Sequence, residues 1–281
     1  MKVKDLLRAG YDILKKSGID SYILDCQLIL GKVLSKDRLA ILLSMENILE
    51  PKEEKDFFYF LELRRQKMPV KYITGTTEFM GIQLYVSEGV LIPRPDTETL
   101  VEETLKLIKA NKYKYICDLC TGSGAIGISI GSLSETNVSL YDISEKAIGV
   151  ANKNIISNGL ESRITAEESD LLELPISKGC KFDAIISNPP YIKTKDIEGL
   201  MEDVKRYEPY IALCGGDNGL LFYEAITKQS NKILVDGGML AFEIGYDQYE
   251  EVKSIMIKYG YKGIYCVKDL SKMDRAVFGF K

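Results

Sequence analysis

The sequence contains no histidine and no tryptophan in 281 residues. Without histidine there is no imidazole general base and no imidazole metal ligand. No stretch approaches the roughly twenty consecutive apolar residues of a membrane span. The N-terminus has neither the apolar run nor the cleavage site of a signal peptide. Six cysteines at irregular spacing in such a chain read as reduced thiols, so a cytoplasmic protein is expected. Cys117 and Cys120 form a C-x-x-C, but there is no second pair. Strand packing plus a loop thiol is expected there, not zinc or redox chemistry. A large positive excess is missing too: the net charge is −4, which gives no footprint for broad phosphate-backbone binding. Direct nucleic-acid binding and membrane association are therefore not expected. The charge is uneven, however. Residues 1–75 hold 14 Lys/Arg against 11 Asp/Glu, and the remainder holds 23 against 30.

The length allows two domains with real cores. Residues 1–75 read as a small helical bundle. Val3, Leu6, Leu7, Ile13 and Leu14 share one helical face. Asp20 and Asp37 are placed to cap the next two helices. Pro51 suits the first turn of a fourth, with Glu53 and Glu54 near its positive end. That helix carries Phe57, Phe58, Phe60, Leu61 and Leu63 as core. Residues 76–95 read as a linking segment, with a β-hairpin over Phe79–Val86 and two prolines, Pro93 and Pro95, that bar a helix until Asp96. Asp96 is expected to cap the next helix, through Leu100, Val101 and Leu107.

Residues 96–281 alternate strands and helices. Tyr115–Leu119 is a first strand, followed by Cys120-Thr121-Gly122-Ser123-Gly124 and a helix from Ala125. Glycines there permit a tight turn and close approach of a ligand to the backbone. Gly122-x-Gly124-x-x-Gly127 also satisfies the dinucleotide fingerprint, so a nicotinamide-dependent oxidoreductase remains open on the loop alone. A second strand ends at Asp142, placed to accept ribose hydroxyls, or to cap the helix that follows. Ser169-Asp170-Leu171 ends the third. Phe182–Ser187 is a buried fourth strand stopped by Asn188-Pro189-Pro190-Tyr191. Two prolines make that corner stiff and leave carbonyls free to accept, at the sheet edge where α/β proteins bind ligands. Gly238–Gly245, Ile264–Val267 and Ala276–Phe280 complete the strands, the last antiparallel.

Asn-Pro-Pro-Tyr after the fourth strand resembles the signature of AdoMet-dependent methyltransferases acting on planar nitrogen. An amide or exocyclic amine is a poor nucleophile. An Asn oxygen and a Pro carbonyl can accept its two hydrogens and aim the lone pair, and a tyrosine can stack on the planar group. Leu91–Glu98, Tyr207–Leu220 and Asp269–Arg275 are similar to segments of one family within this group: the peptide-chain release factor glutamine N5-methyltransferases (HemK/PrmC family).

The resemblance implies a Rossmann-like class I methyltransferase domain, seven-stranded with the last strand antiparallel, preceded by a helical substrate-recognition domain and a linking β-hairpin. It implies methyl transfer from S-adenosyl-L-methionine to the glutamine amide in the Gly-Gly-Gln loop of release factors, by a monomer that needs no metal. Asn188, Pro189, Pro190 and Tyr191 would form the catalytic corner. Cofactor would be held by Asp118, Cys120, Thr121, Gly122, Ser123, Gly124, Asp142, Asp170, Leu171 and Asn188. In that site Asp118 would face the ammonium group and Asp170 the adenine amino group. Ribosomal-protein glutamine methyltransferases share these motifs. A nucleic-acid amino methylase would have to flip its base, and a non-catalytic translation-factor binder could keep the same fold.

Overall fold

A computed structural model describes all 281 residues. They form two compact units, one of Met1–Thr76 with Met201–Tyr207, the other of Thr77–Leu200 with Glu208–Lys281.

The first unit contains α1 (Val3–Lys16), α2 (Tyr22–Leu34), α3 (Arg38–Leu43), α4 (Pro51–Arg65) and α5 (Val70–Thr74). The apolar stripe of α1 packs with Cys26, Ile29 and Leu30 of α2 and with Phe57 and Leu61 of α4. Asp37 caps α3 through Ala40 N–H at 2.7 Å. Pro51 opens α4 beside a capping box of Glu50 and Glu53. Asp20 does not cap α2. Its N-cap is Ser21, whose hydroxyl instead donates to Asp25 at 2.8 Å. Asp25 also accepts from Arg64 at 2.7 Å, which lets both charges be buried as a pair. Phe58 lies on the outer face of α4, because only positions in step with Phe57 and Leu61 face the bundle.

The second unit begins with the hairpin β1 (Thr76–Phe79) and β2 (Ile82–Tyr85). It continues with α6 (Glu98–Asn111), β3 (Tyr115–Leu119), α7 (Ala125–Leu133), β4 (Asn137–Asp142), α8 (Glu145–Ser157), β5 (Ile164–Glu168), α9 (Glu173–Ser177) and β6 (Phe182–Ser187). Next comes α10 (Glu202–Tyr207), which belongs to the first unit, where the Tyr207 hydroxyl donates to Gln66 O at 2.8 Å. The chain closes with α11 (Tyr210–Leu213), α12 (Leu221–Ser230), β7 (Leu234–Glu243), α13 (Tyr249–Lys258), β8 (Lys262–Lys268) and β9 (Asp274–Phe280).

Seven strands make one sheet in the order β5-β4-β3-β6-β7-β9-β8. The first five are parallel, and β9 runs antiparallel to both its neighbours. One face packs against α6, α7 and α8, the other against α12 and α13. Strands so covered must be apolar on both sides, as Ala184-Ile185-Ile186 shows. The strand order reverses at β3, between β4 and β6. A crevice opens there at the carboxyl ends of the strands, where doubly wound sheets take ligands. No helix is long and apolar enough to cross a membrane.

Candidate active site

A cavity lies at this switch point, walled by the loop after β3, the ends of β4 and β6, and residues 89–97 and 209–212. The β3 loop turns through positive φ at Cys120, Gly122 and Gly124, which only glycine adopts without strain at the latter two positions. Asp118, fully buried at the end of β3, braces the loop from below. Its Oδ2 accepts from Thr121 Oγ at 2.5 Å and from Gly127 N–H at 2.9 Å, while Oδ1 has no protein partner. Burial pushes this carboxyl up to about 7. Gly127 serves packing: a Cβ there would overlap Leu140 of β4 and press on Asp118. The literal dinucleotide fingerprint is thus used to seat α7 on the sheet.

Asp142 lines the cavity at the end of β4. Its two oxygens accept Gly122 N–H at 2.8 Å and Ser144 N–H at 3.0 Å, so it fixes the loop and the start of α8 together. The cap of α8 is Ser144 itself, through Ala147 N–H. Burial raises the Asp142 carboxyl above its ordinary value against the pull of those N–H groups. Asp170, exposed, and Leu171 complete this end of the wall. Leu171 sits at φ 46°, held by Ser169, whose hydroxyl donates to Leu171 O at 2.7 Å. Both Cys117 and Cys120 are free thiols that burial pushes up, which leaves them unreactive.

At the other end, Asn188 and Pro190 line the cavity. The Asn188 side chain is half-buried and makes no hydrogen bond within the protein, so its amide is free to meet a ligand. The corner it stands on is braced from three sides. Ser187 Oγ donates to Leu119 O at 2.7 Å, tying the corner to β3. Gln248 Nε2 donates to Tyr191 O at 3.1 Å. The loop after α11 bonds Ile192 on both sides, Ile192 N to Leu213 O at 2.9 Å and Gly215 N to Ile192 O at 2.8 Å. Gly215 permits this approach: a Cβ would stand 2.7 Å from Pro190 O and from Tyr191 Cα.

Four of the expected site residues, Asp118, Gly124, Pro189 and Tyr191, do not line the cavity. Asp118 is under the loop, Pro189 is buried, and Tyr191 packs into the core with its hydroxyl 3.5 Å from Glu243. Burial raises the Tyr191 hydroxyl to about 12, so it stays protonated. Tyr191 is half-buried and does not line this cavity, whose wall includes residues of the segment 89–97. From that segment Arg94 pairs with the almost wholly buried Glu208 at 2.5 Å, which joins the two banks of the cavity. Thr97 lines it alongside. Neither residue was assigned a site role from the sequence, although the segment Leu91–Glu98 that carries both resembles the family and its paired prolines mark it as stiff. Asp96 does not cap α6: its carboxylate turns to Arg275 of β9 at 3.5 Å.

Similarity to known proteins agrees with this arrangement. Residues 5–75 match the family described as PrmC N-terminal domain, and residues 96–204 match Methyltransferase small domain. The chain is 52% identical to the release factor glutamine methyltransferase of Clostridium botulinum, over 99% of this chain and 98% of that protein. It is 47% identical to that of Clostridium acetobutylicum, over 100% of this chain and 99% of that one. Among solved structures, the hMettl16 catalytic domain in complex with the MAT2A 3'UTR hairpin 6 superposes with a TM-score of 0.57 at 16% identity, covering 82% of both chains; that likeness concerns the fold alone. A glycine loop and an Asn-Pro-Pro-Tyr corner facing one cavity, together with identity of about half over full length, lead to one family: the chain belongs to the release factor glutamine methyltransferases.

Proposed function

We propose that the protein transfers the methyl group of AdoMet to the side-chain amide nitrogen of the glutamine in the Gly-Gly-Gln loop of peptide-chain release factors. The observation that carries this reading is the free Asn188 amide, held on a braced corner in the same cavity as the glycine loop. The cavity suits AdoMet. Gly122 leaves the loop backbone open, Asp142 keeps lone pairs for ribose hydroxyls, and Leu171 offers an apolar surface for adenine. The orphaned Asp118 Oδ1 lies beneath the loop, where an ammonium group bound above would favour the ionised form of this carboxyl. AdoMet, when bound, supplies an electrophilic methyl group on a positively charged sulfur.

The chain's own work is orientation. Asn188 Oδ1 and the Pro189 carbonyl accept the two hydrogens of the acceptor amide. This turns its nitrogen toward the methyl group and favours the more tetrahedral nitrogen of the transition state. Tyr191 acts from behind, keeping the corner in place. The amide proton leaves to water after transfer, so no histidine is needed. Residues 1–75 would grip the body of the release factor.

Asn188→Ala tests the reading. It should lower kcat on purified release factor by roughly a hundred- to a thousandfold while calorimetric AdoMet affinity changes little. Asn188→Asp keeps an acceptor but adds a charge that favours the ground-state sulfonium, so turnover should fall with equal or tighter cofactor binding. Methylation within threefold of wild type in both variants would show that Asn188 does not orient the amide.

A further inference from the structure

A carboxamide bound in this cavity has three polar groups, and Asn188 with Pro189 takes only the two N–H groups. The carbonyl oxygen also needs a donor, because an unpaired buried acceptor is costly. Two hydroxyl donors on the wall are committed, Thr121 to Asp118 and Ser169 to Leu171 O, and Arg94 spends one guanidinium nitrogen on Glu208. Thr97 is not committed. It is 4% exposed, lines the cavity, and its hydroxyl has no hydrogen-bond partner.

Thr97 lies at the acceptor end of the cavity. Its neighbour Asp96 reaches Arg275 of β9, and its own Oγ stands beside Glu243 without forming a bond of good geometry. Glu243 ends β7. The parallel register ends at Ser187 opposite Phe242, so Asn188 and Glu243 are the next residues along the two strands. Glu243 is 2% exposed, and its Oε2 also has no partner. Thr97 Oγ and Glu243 Oε2 are thus two buried polar atoms without a hydrogen bond of good geometry, on residues close enough to influence each other.

Resting on the methyl-transfer reading above, we infer that Thr97 is the donor to the carbonyl oxygen of the acceptor amide, and that Glu243 is the positioning residue that sets the direction of the Thr97 hydroxyl. A neutral Glu243 carboxyl donates to Thr97 Oγ and leaves the threonine proton pointing to the substrate. An ionised Glu243 draws that proton to itself and turns a lone pair toward the carbonyl oxygen, which repels it.

The groups facing Glu243 are Asp96 and Thr97 from before α6, Tyr191 after β6, and Arg275 of β9. Arg275 is shared with Asp269 at 3.1 Å and Asp96 at 3.5 Å. Burial outweighs the Thr97 hydroxyl and the Arg275 guanidinium, which both favour the carboxylate, and holds Glu243 at about 7, above its ordinary 4.5. Substrate binding therefore favours the protonated form and weakens as pH rises through 7.

The test uses purified release factor and AdoMet, with mass spectrometry to locate the methyl group. Thr97→Val keeps the shape and deletes the donor. It should raise KM for release factor roughly 5- to 100-fold, leave AdoMet affinity unchanged, and be rescued by Thr97→Ser. In wild type, KM for release factor should rise between pH 6 and 8. Glu243→Gln, a permanent donor toward Thr97, should flatten that rise. A Thr97→Val KM within twofold of wild type would overturn the inference, as would a KM–pH slope that persists in Glu243→Gln. If Thr97→Val fails to fold, the Glu243→Gln profile decides alone. Failure of the wild-type enzyme to methylate any glutamine would instead remove the proposed function itself.

Discussion

Gly215 should be a position where one added methyl group harms turnover without touching either ligand. A Cβ there would stand 2.7 Å from Pro190 O, 2.7 Å from Tyr191 Cα and 3.0 Å from Tyr191 C. All three are backbone atoms of a segment that two prolines make stiff. The corner cannot yield on its far side, where Ser187 is bonded to Leu119 O and Gln248 to Tyr191 O. The loop must therefore move instead. Retreat by a few tenths of an ångström stretches the bonds Ile192 N–Leu213 O, Gly215 N–Ile192 O and Thr194 N–Gly216 O, now 2.8 to 3.0 Å. Overpacking of this kind costs about 1–3 kcal/mol, and the three bonds, stretched but not broken, together add about 1 kcal/mol. Gly215→Ala should thus lose about 2–4 kcal/mol in urea unfolding.

Because Asn188 stands on that corner, kcat should fall roughly tenfold to a hundredfold, the scale for displacing an orienting group by up to an ångström. AdoMet affinity should hold, since the loop at 120–124 is fixed by Asp118 and Asp142 instead. The assay pairs single-turnover methylation of release factor with calorimetric AdoMet binding. A variant as stable and as fast as wild type would refute the claim that Gly215 is needed for the close approach. Lost stability with unchanged kcat would show that the corner does not depend on this loop.

Asp118 binds its proton more tightly folded, at about 7 against an ordinary 3.8, so its contribution is full below pH 4 and is lost as pH rises through 7. This amounts to about 4 kcal/mol. Glu243 adds a smaller loss of the same sign, so Asp118→Asn should show a shallower fall in unfolding free energy between pH 5 and 8 without AdoMet; an unchanged slope would mean that Asp118 is not the group responsible. Asp142→Ala removes a carboxylate that holds Gly122 and Ser144 N–H groups and should weaken AdoMet at least tenfold, up to the scale of two charge-assisted bonds at roughly 1.5–3 kcal/mol each. Calorimetric affinity within twofold of wild type would take Asp142 out of the site. Deleting residues 1–76 strips α10 of Gln66, the partner of Tyr207; limited proteolysis should then cut within 201–207 while AdoMet binding survives and methylation of whole release factor falls.

Legibility in the sequence followed the range of the interaction. The β3 loop, the Asn-Pro-Pro-Tyr corner and the strands that carry them could be read because prolines, glycines and buried runs act on their own neighbours in the chain. The capping of α3 by Asp37 and of α4 around Pro51 was local in the same way. The misreadings share the opposite feature. Asp20 and Asp96 both have the chemistry of a helix cap. Ser21 took the first place, and the second acid found a cation that is 179 residues away in sequence, Arg275. No local rule could show that Arg94 meets Glu208, |i−j| = 114, or that α10 belongs with the front unit.

Tyr191 shows why a motif can locate a site and still mislead about which of its side chains face the ligand. The two prolines fix the backbone of the corner, but the direction of the next side chain depends on what space the sheet leaves. Parallel pairing of β6 with β7 ends at Ser187 opposite Phe242, with Asn188 and Glu243 next along the two strands, and Gln248 donates to the Tyr191 carbonyl. With the carbonyl held, the ring enters the core beside Leu240, Phe242 and Val277. Burying a tyrosine requires a polar neighbour for its hydroxyl, and Glu243 lies within 3.5 Å. Arg94 and Thr97, from a segment roughly ninety residues earlier, line the cavity where Tyr191 does not. The orphaned Thr97 hydroxyl follows from the same geometry: the chain brings it there to close the cavity, and the protein offers it no partner.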